Sequence, residues 1–344
     1  MNIFKKTNFF ILTWAMEALN KDIDNDPNQP ATIDFAVGGQ AVIEGVMMRS
    51  PKSITIAVRK PNGEISVKKR HYRTLTQRFK WLNIPILRGM VNLIEMMIVG
   101  SDAINYSANE SMTEEDAKPA KATDPEAKKT FAQKAFEYTL FAFSFIFAIG
   151  LSIGLFKFLP LWITTFLESQ STYISNNYII FNLIDGVIKM FMFLSYIFIL
   201  SQIPSFRRIF EYHGAEHKSI FNYENHLPLN VENAQKQIRF HPRCGTSFII
   251  IVFALSVIVY TFIPKQPDFW VNLAVRLAAL PLIAGISYEY LKISARHVNN
   301  VFVKALIAPG LWFQRLTTKE PDAKQLAVGL QSLQEALAME KAAV

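Results

Sequence analysis

YIIFNLIDGVIKMFMFLSYIFILSQI (residues 178–203) carries two charges, Asp185 and Lys189, in an otherwise apolar run. A helix of about 20 residues covers the roughly 30 Å hydrocarbon core of a bilayer, so this stretch has the length and composition of a membrane crossing. Residues 138–159, 246–263 and 269–288 read the same way. The composition agrees: 51% of the 344 residues are apolar, 28 are Phe, and the mean hydropathy is positive. Two soluble domains would fit the length, but not four long apolar runs. The expected fold class is therefore an α-helical polytopic membrane protein. It has four transmembrane helices, a small N-terminal antiparallel β domain and cytoplasmic helices.

Basic residues flanking the runs give the orientation. The connection 161–177 has no Lys or Arg, and 264–268 has only Lys265. The connection 204–245 carries Arg207, Arg208, Lys218, Lys236, Arg239 and Arg243. Lys128, Lys129 and Lys134 precede the first run, and Lys292, Arg296 and Lys304 follow the last. A multi-pass protein of the cytoplasmic membrane with both termini cytoplasmic is expected. The net charge of +8 then reflects topology and anionic lipid, with membrane lipid as partner and no nucleic acid. A single cysteine, Cys244, excludes an intrachain disulfide. Within the runs, Asp185 and Lys189 stand four apart, in the order that favours a helical ion pair. Arg276 and Lys157 lie at similar depth. Local pairing and a polar path for a substrate or ion are the two readings.

The chain divides as follows. Residues 1–30 form an N-terminal interfacial segment (Lys5 and Lys6, then Phe9–Met16, with no cleavage site). Residues 31–74 form the small β domain, 75–107 an amphipathic helix and 108–130 a disordered linker. Residues 131–203 and 246–289 hold the transmembrane pairs. Residues 204–245 are a cytoplasmic His/Cys-rich loop, and 290–344 are C-terminal cytoplasmic helices. In the β domain Ile54, Ile56 and Val58 alternate with Thr55, Ala57 and Arg59. Pro61-Asn-Gly63 turns the chain, and Ile65 and Val67 resume the alternation. The paired glycines of 37–51 mark a backbone that turns or approaches something closely, and Glu44 and Arg49 could reach a site. Arg88, Asn92, Glu95 and Asp102 fall on one face of the amphipathic helix. That helix either lies in the headgroup region or turns its polar stripe inward. Leu326, Leu330, Leu333 and Leu337 give the last helix an apolar side.

The chemistry concentrates in Tyr212-His-Gly-Ala-Glu-His-Lys218 and His241-Pro-Arg-Cys-Gly-Thr246. On a helix, His213 and His217 lie one turn apart on one side, so both imidazoles reach one metal ion, with Glu216 beside them as a general base. The candidate ligands are His213, His217, His241 and Cys244, and the expected cofactor is a divalent metal, zinc first. Four protein ligands would make the site structural; three would leave a position open for catalysis. A zinc-dependent hydrolase acting on a membrane-proximal substrate is the leading expectation. A biogenesis or scaffold protein with a structural metal, and a transporter using Asp185, Lys189 and Arg276, are the alternatives.

The chain also resembles the YqhQ-like family of bacterial integral membrane proteins. The resemblance rests on Gly38-Gly-Gln-Ala-Val-Ile-Glu-Gly-Val-Met-Met-Arg49, on the two His-containing segments above, and on Pro309-Gly-Leu-Trp-Phe-Gln-Arg-Leu-Thr-Thr-Lys-Glu-Pro-Asp322. It implies a predicted metal-dependent enzyme without a defined substrate.

Overall fold

The computed structural model describes residues 37–112, 131–296 and 300–342. The segment expected over 1–30 and most of the linker expected over 108–130 lie outside the described residues. Four strands come first: β1 (Gly38–Val42), β2 (Gly45–Arg49), β3 (Ser53–Arg59) and β4 (Ile65–His71). The long helices are α1 (Leu87–Ser111), α2 (Phe131–Ile153), α3 (Leu159–Ser169), α4 (Tyr178–Gln202) and α5 (Pro204–Glu224). They continue as α6 (Gly245–Thr261), α7 (Phe269–Ala278), α8 (Leu280–Arg296), α9 (Val301–Thr317) and α10 (Ala323–Ala342). The chain divides into two compact units: residues 1–111, 197–252 and 284–344, and residues 112–196 and 253–283.

In the first unit the strands form an antiparallel sheet in the order β1-β2-β3-β4. The expected hairpin is present as β3–β4, with Gly63 at φ +89° in its turn. The stretch 37–51, expected to turn or to approach something closely, forms a second hairpin, β1–β2, in which Gly38 pairs with Arg49 and Val42 with Gly45. Helices cover both faces. Val42, Met47, Ile54, Ile56 and Val58 pack on Val99 and Ala103 of α1. Val46, Met48 and Ala57 pack on Tyr212 and Ile220 of α5 and on Val328, Leu333 and Ala336 of α10. The alternate residues of β3 are thus buried too, which a one-sided sheet would not require. Ser53, Thr55 and Ala57 are small enough to admit α10, and Thr55 Oγ1 donates to the Ser332 carbonyl at 2.7 Å. The polar stripe of α1 is spent inside this unit. Arg88 pairs with Glu289, Asn92 donates to Tyr288 Oη at 2.8 Å, and Glu95 accepts the Leu75 N–H at 2.9 Å. Ile94, Met97 and Ile98 on the other side are exposed.

Among the described residues, three helices are long and apolar enough to cross a membrane: Phe143–Ser169, Tyr178–Gln202 and Phe269–Ser294. The first runs through a π-helical turn, Gly154–Phe158, that carries Lys157. The third runs through α7 and α8. Their outward side chains, such as Phe147, Phe191 and Phe198, are not covered by protein, which suits association with lipid. The stretch expected as a further crossing forms α6, 17 residues long. In the second unit, the charges of the apolar runs pair with one another. Asp185 Oδ2 accepts from both Lys189 Nζ and Arg276 Nη1, and Arg276 Nη2 donates to Asn182 Oδ1. The Tyr260 ring lies under the Arg276 and Lys189 cations at 4.9 and 5.3 Å.

Candidate metal centre

Helix α5 starts on Pro204, whose missing N–H costs nothing in the first turn. From Tyr212 to Asn222 every residue of α5 is buried, although the segment is largely polar. Burial of so many polar groups demands partners, and the fold brings them from several directions. Lys218 Nζ donates to the Gln235 carbonyl at 3.0 Å and pairs with Glu320 at 2.7 Å. Asn222 Nδ2 donates to the Pro228 carbonyl at 3.0 Å. The segment after α9 crosses α5 at Gly214, where a Cβ would stand 2.1 Å from the Lys319 carbonyl oxygen. Strand β1 crosses at Glu216, and a Cβ on Gly39 would stand 2.7 Å from Glu216 Cγ and 2.8 Å from the Met47 carbonyl. That close approach is what the paired glycines provide.

The two imidazoles are held by the same device. His213 Nδ1 donates to the Thr317 carbonyl at 2.8 Å, and His217 Nδ1 to the Arg239 carbonyl at 2.5 Å. With Nδ1 donating to a carbonyl, Nε2 is the atom by which each ring, when neutral, can bind a metal. His213 Nε2 lies 3.3 Å from Cys244 Sγ, and His217 Nε2 is buried with no hydrogen-bond partner. One ligand atom from each of His213, His217 and Cys244 lies within 4.8 Å of the others. Histidines anchored through Nδ1 to a carbonyl are a usual arrangement of metal-binding imidazoles. A buried nitrogen without a partner beside a thiol is compatible with a metal ion between them. The residues present fit a divalent metal: this is one buried His–His–Cys group able to hold such an ion.

Cys244 precedes the first turn of α6. Its sulfur faces the Thr246 N–H at 3.4 Å and the Thr246 hydroxyl at 3.0 Å. Burial raises its pKa, but His217 and His213 outweigh that and hold the thiol well below its ordinary value. Burial works against the protonated His213 ring, yet the Cys244 and Glu216 charges and the Thr317 carbonyl raise it to about 9. Glu216 lies 3.8 Å from His213 Nε2. Burial raises its pKa, against the pull of both histidines and the Gly39 hydrogen bond.

The four ligands read from spacing do not converge. His241 is buried beside the group, its ring centroid 5.7 Å from that of His217, but both its nitrogens are engaged. Nε2 faces Glu224 Oε2 at 3.2 Å, and Nδ1 accepts the Arg243 N–H at 3.2 Å. Gln314 on α9 clamps its backbone, accepting the His241 N–H and donating to its carbonyl, each at 2.8 Å. Glu224 sits at the end of α5, paired with His241 and Arg243. Glu44 turns away from the group to Arg208 and Tyr212. Spacing gave no indication of Gln314, Thr317 or Arg239; Gln314 and Thr317 lie inside a motif quoted for the family resemblance, whereas Arg239 lies outside all of them. A cavity of about 240 Å³ opens against the group, lined by Glu216, His217, Cys244, Arg49, Arg243 and the Gly38–Gly39 backbone among others.

Comparison with known proteins adds the following. The sequence model of the family described as "Protein of unknown function (DUF1385)" matches residues 84–339. "Uncharacterized protein YqhQ" of Bacillus subtilis (strain 168) is 35% identical over 310 residues, covering 89% of this chain and 93% of its own. No solved structure matches the chain.

Proposed function

Since the chain belongs to the DUF1385 family, the family of YqhQ, and that membership carries no activity with it, we propose a function from the site itself. The protein is a metal-dependent membrane enzyme, a hydrolase acting on a membrane-proximal substrate at the cytoplasmic face. Its metal, zinc, is held by His213, His217 and Cys244, and Glu216 is the general base. The observation that carries this reading is the three-membered donor set: both nitrogens of His241 are engaged elsewhere, and among the described residues the ligand atoms that gather are those of His213, His217 and Cys244.

A zinc ion held there would supply Lewis-acid polarisation of a substrate oxygen. The chain's own groups do the remainder. The Thr317 and Arg239 carbonyls fix the two tautomers, and the Cys244 thiolate brings negative charge to the donor set. The Glu216 carboxylate lines the cavity beside His217, placed to take a proton from a water that attacks the substrate. Metal analysis of the purified full chain tests the first half. About one equivalent of zinc is expected in the wild type, lost in His217→Ala and Cys244→Ala. A wild-type protein free of zinc, iron and manganese overturns the proposal. Glu216→Gln tests the second half, and should keep the metal while abolishing function in a strain that depends on this gene. Metal and function both retained would instead mark a structural metal in a biogenesis or scaffold protein.

The membrane arrangement we infer has four crossings, α6 being the shortest, with both termini cytoplasmic. Seventeen residues span about 25 Å, at the lower end of what crosses a bilayer. The exposed Ile94, Met97 and Ile98 of α1, with Trp81 nearby in the chain, suit an interfacial position. Reporter fusions test the topology: a fluorescent protein fused after Val344 should be fluorescent, and alkaline phosphatase inserted at 170 active. An inactive phosphatase at 170 would reject the orientation.

A further inference from the structure

The cavity beside the His–His–Cys group has a cation that the reading above leaves unused. Arg49 ends β2, opposite Gly38 on one neighbouring strand and Ile54 on the other. Its guanidinium lies 5.2 Å from the centre of the Tyr72 ring, with Nη1 on the Met96 sulfur. Other arginines of this unit are neutralised: Arg88 by Glu289, Arg208 by Glu44, Arg239 by Glu320 and Arg243 by Glu224. Arg49 has no carboxylate partner among the described residues, although it is half-buried and lines the same cavity as Glu216, His217 and Cys244. A half-buried guanidinium that lies near an aromatic ring and lines a cavity is suited to an external anion. Its planar fork matches the oxygens of a phosphoryl group two at a time.

We propose that this cavity binds the phosphoryl group of the substrate, with Arg49 as the residue that grips it. The inference rests on the reading of the His–His–Cys group as a metal site, and names the substrate class for it. Two features favour a phosphoryl group over a carboxylate. A tetrahedral phosphoryl group presents oxygens in more than one direction, so it can face Arg49 and the His–His–Cys side together, whereas a carboxylate has two oxygens in one plane. The volume, about 240 Å³, equals that of roughly eight waters and leaves space for the first atoms of an esterified alcohol. Arg243 widens the positive wall, while its own charge is met by Glu224. Met47, Met96 and Ile220 supply an apolar side suited to the non-polar part of such an ester.

The test uses the full chain in detergent, zinc-loaded, with metal content measured on every sample. Inorganic phosphate and dihexanoyl phosphatidic acid are titrated calorimetrically, with acetate as the carboxylate control. Arg49→Ala should weaken phosphate binding at least tenfold with metal content unchanged. Arg49→Lys, which keeps the charge but not the fork, should fall between them and covers the case in which the alanine variant does not fold. Tighter binding of the short-chain lipid than of inorganic phosphate identifies a lipid headgroup as the source; the reverse order identifies a soluble phosphate ester, and both support the assignment. Unchanged phosphate affinity in both Arg49 variants overturns it, as does acetate binding as tightly as phosphate, or zinc-loaded wild type that binds no phosphate. Metal-free wild type whose phosphate binding still depends on Arg49 would remove the metal reading and leave this one standing.

Discussion

Asp185→Ala is expected to destabilise the second unit by about 3–5 kcal/mol, the cost typical of removing one partner from a buried charge pair. The carboxylate accepts from both Lys189 and Arg276, and all three side chains are nearly inaccessible, at 1%, 1% and 4%. Without it the two cations face neutral groups, among them Asn182, Asn272 and the Tyr260 and Phe181 rings. Charges at membrane depth cost kilocalories each unless paired. Asp185→Asn should be nearly as damaging, since it keeps the shape and loses the charge. Combining Asp185→Asn with Lys189→Met should recover part of the loss, because one cation then leaves with its partner. Thermal unfolding of the detergent-solubilised full chain checks this. Asp185→Ala melting within 0.5 kcal/mol of wild type would show that the pairing is not what stabilises this unit. Loss of function in Asp185→Asn at full stability, together with an inert Glu216→Gln, would reverse the functional ranking in favour of transport through these residues.

The second large effect is expected at Gly214. A single added carbon there meets the Lys319 carbonyl oxygen at 2.1 Å and Pro321 Cδ at 3.3 Å. A backbone carbonyl cannot rotate aside as a side chain can. Either α5 or the segment after α9 must move, and Lys319 N–H already donates to the Phe210 carbonyl at 2.8 Å. Gly214→Ala should therefore cost about 3 kcal/mol, the upper part of the overpacking range. The strained segment also carries the Thr317 carbonyl that orients His213. Zinc affinity should fall with stability, by about 10–100-fold, as when an orienting partner of a metal-binding histidine is lost. Gly38→Ala is the control: nothing stands within 4 Å of its added carbon, so its melting should stay within about 0.5 kcal/mol of wild type. If Gly214→Ala matches that control, α5 and the 317–319 segment are not in contact as described.

These cases show what spacing can and cannot reveal. The i,i+4 pair His213 and His217 was legible because helical periodicity alone puts both rings on one side. The apolar runs were legible because crossing a bilayer is a matter of length and composition. His241 and Cys244 are three residues apart in one motif, and spacing gave no reason to separate them. Glu224 and Gln314, distant in sequence, turn the histidine away and leave the cysteine in the group. The glycines at 38 and 39 signalled a close approach, but not that the neighbour is Glu216, because strand β1 meets α5 only in the folded unit. Arg49 was legible as a residue able to reach a site. Its place beside the His–His–Cys group without a carboxylate partner became visible only in the folded unit, where Arg88, Arg208, Arg239 and Arg243 have theirs.

The α10 cover of the sheet also sets the order in which the polypeptide can reach its folded state. Strands β1 to β4 leave the ribosome early, yet the face formed by Val46, Met48 and Ala57 is closed by Val328, Leu333 and Ala336. Glu340, almost at the chain's end, accepts from Ser50 Oγ at 2.7 Å and from the Lys52 N–H. At about 5–20 residues per second, the sheet waits on the order of tens of seconds for its last helix. For that interval the part of the face that α10 covers is open, so whatever shields it during synthesis acts on a half-finished domain. A ribosome that stops before α10 leaves that part uncovered for good, with α5 covering only the remainder.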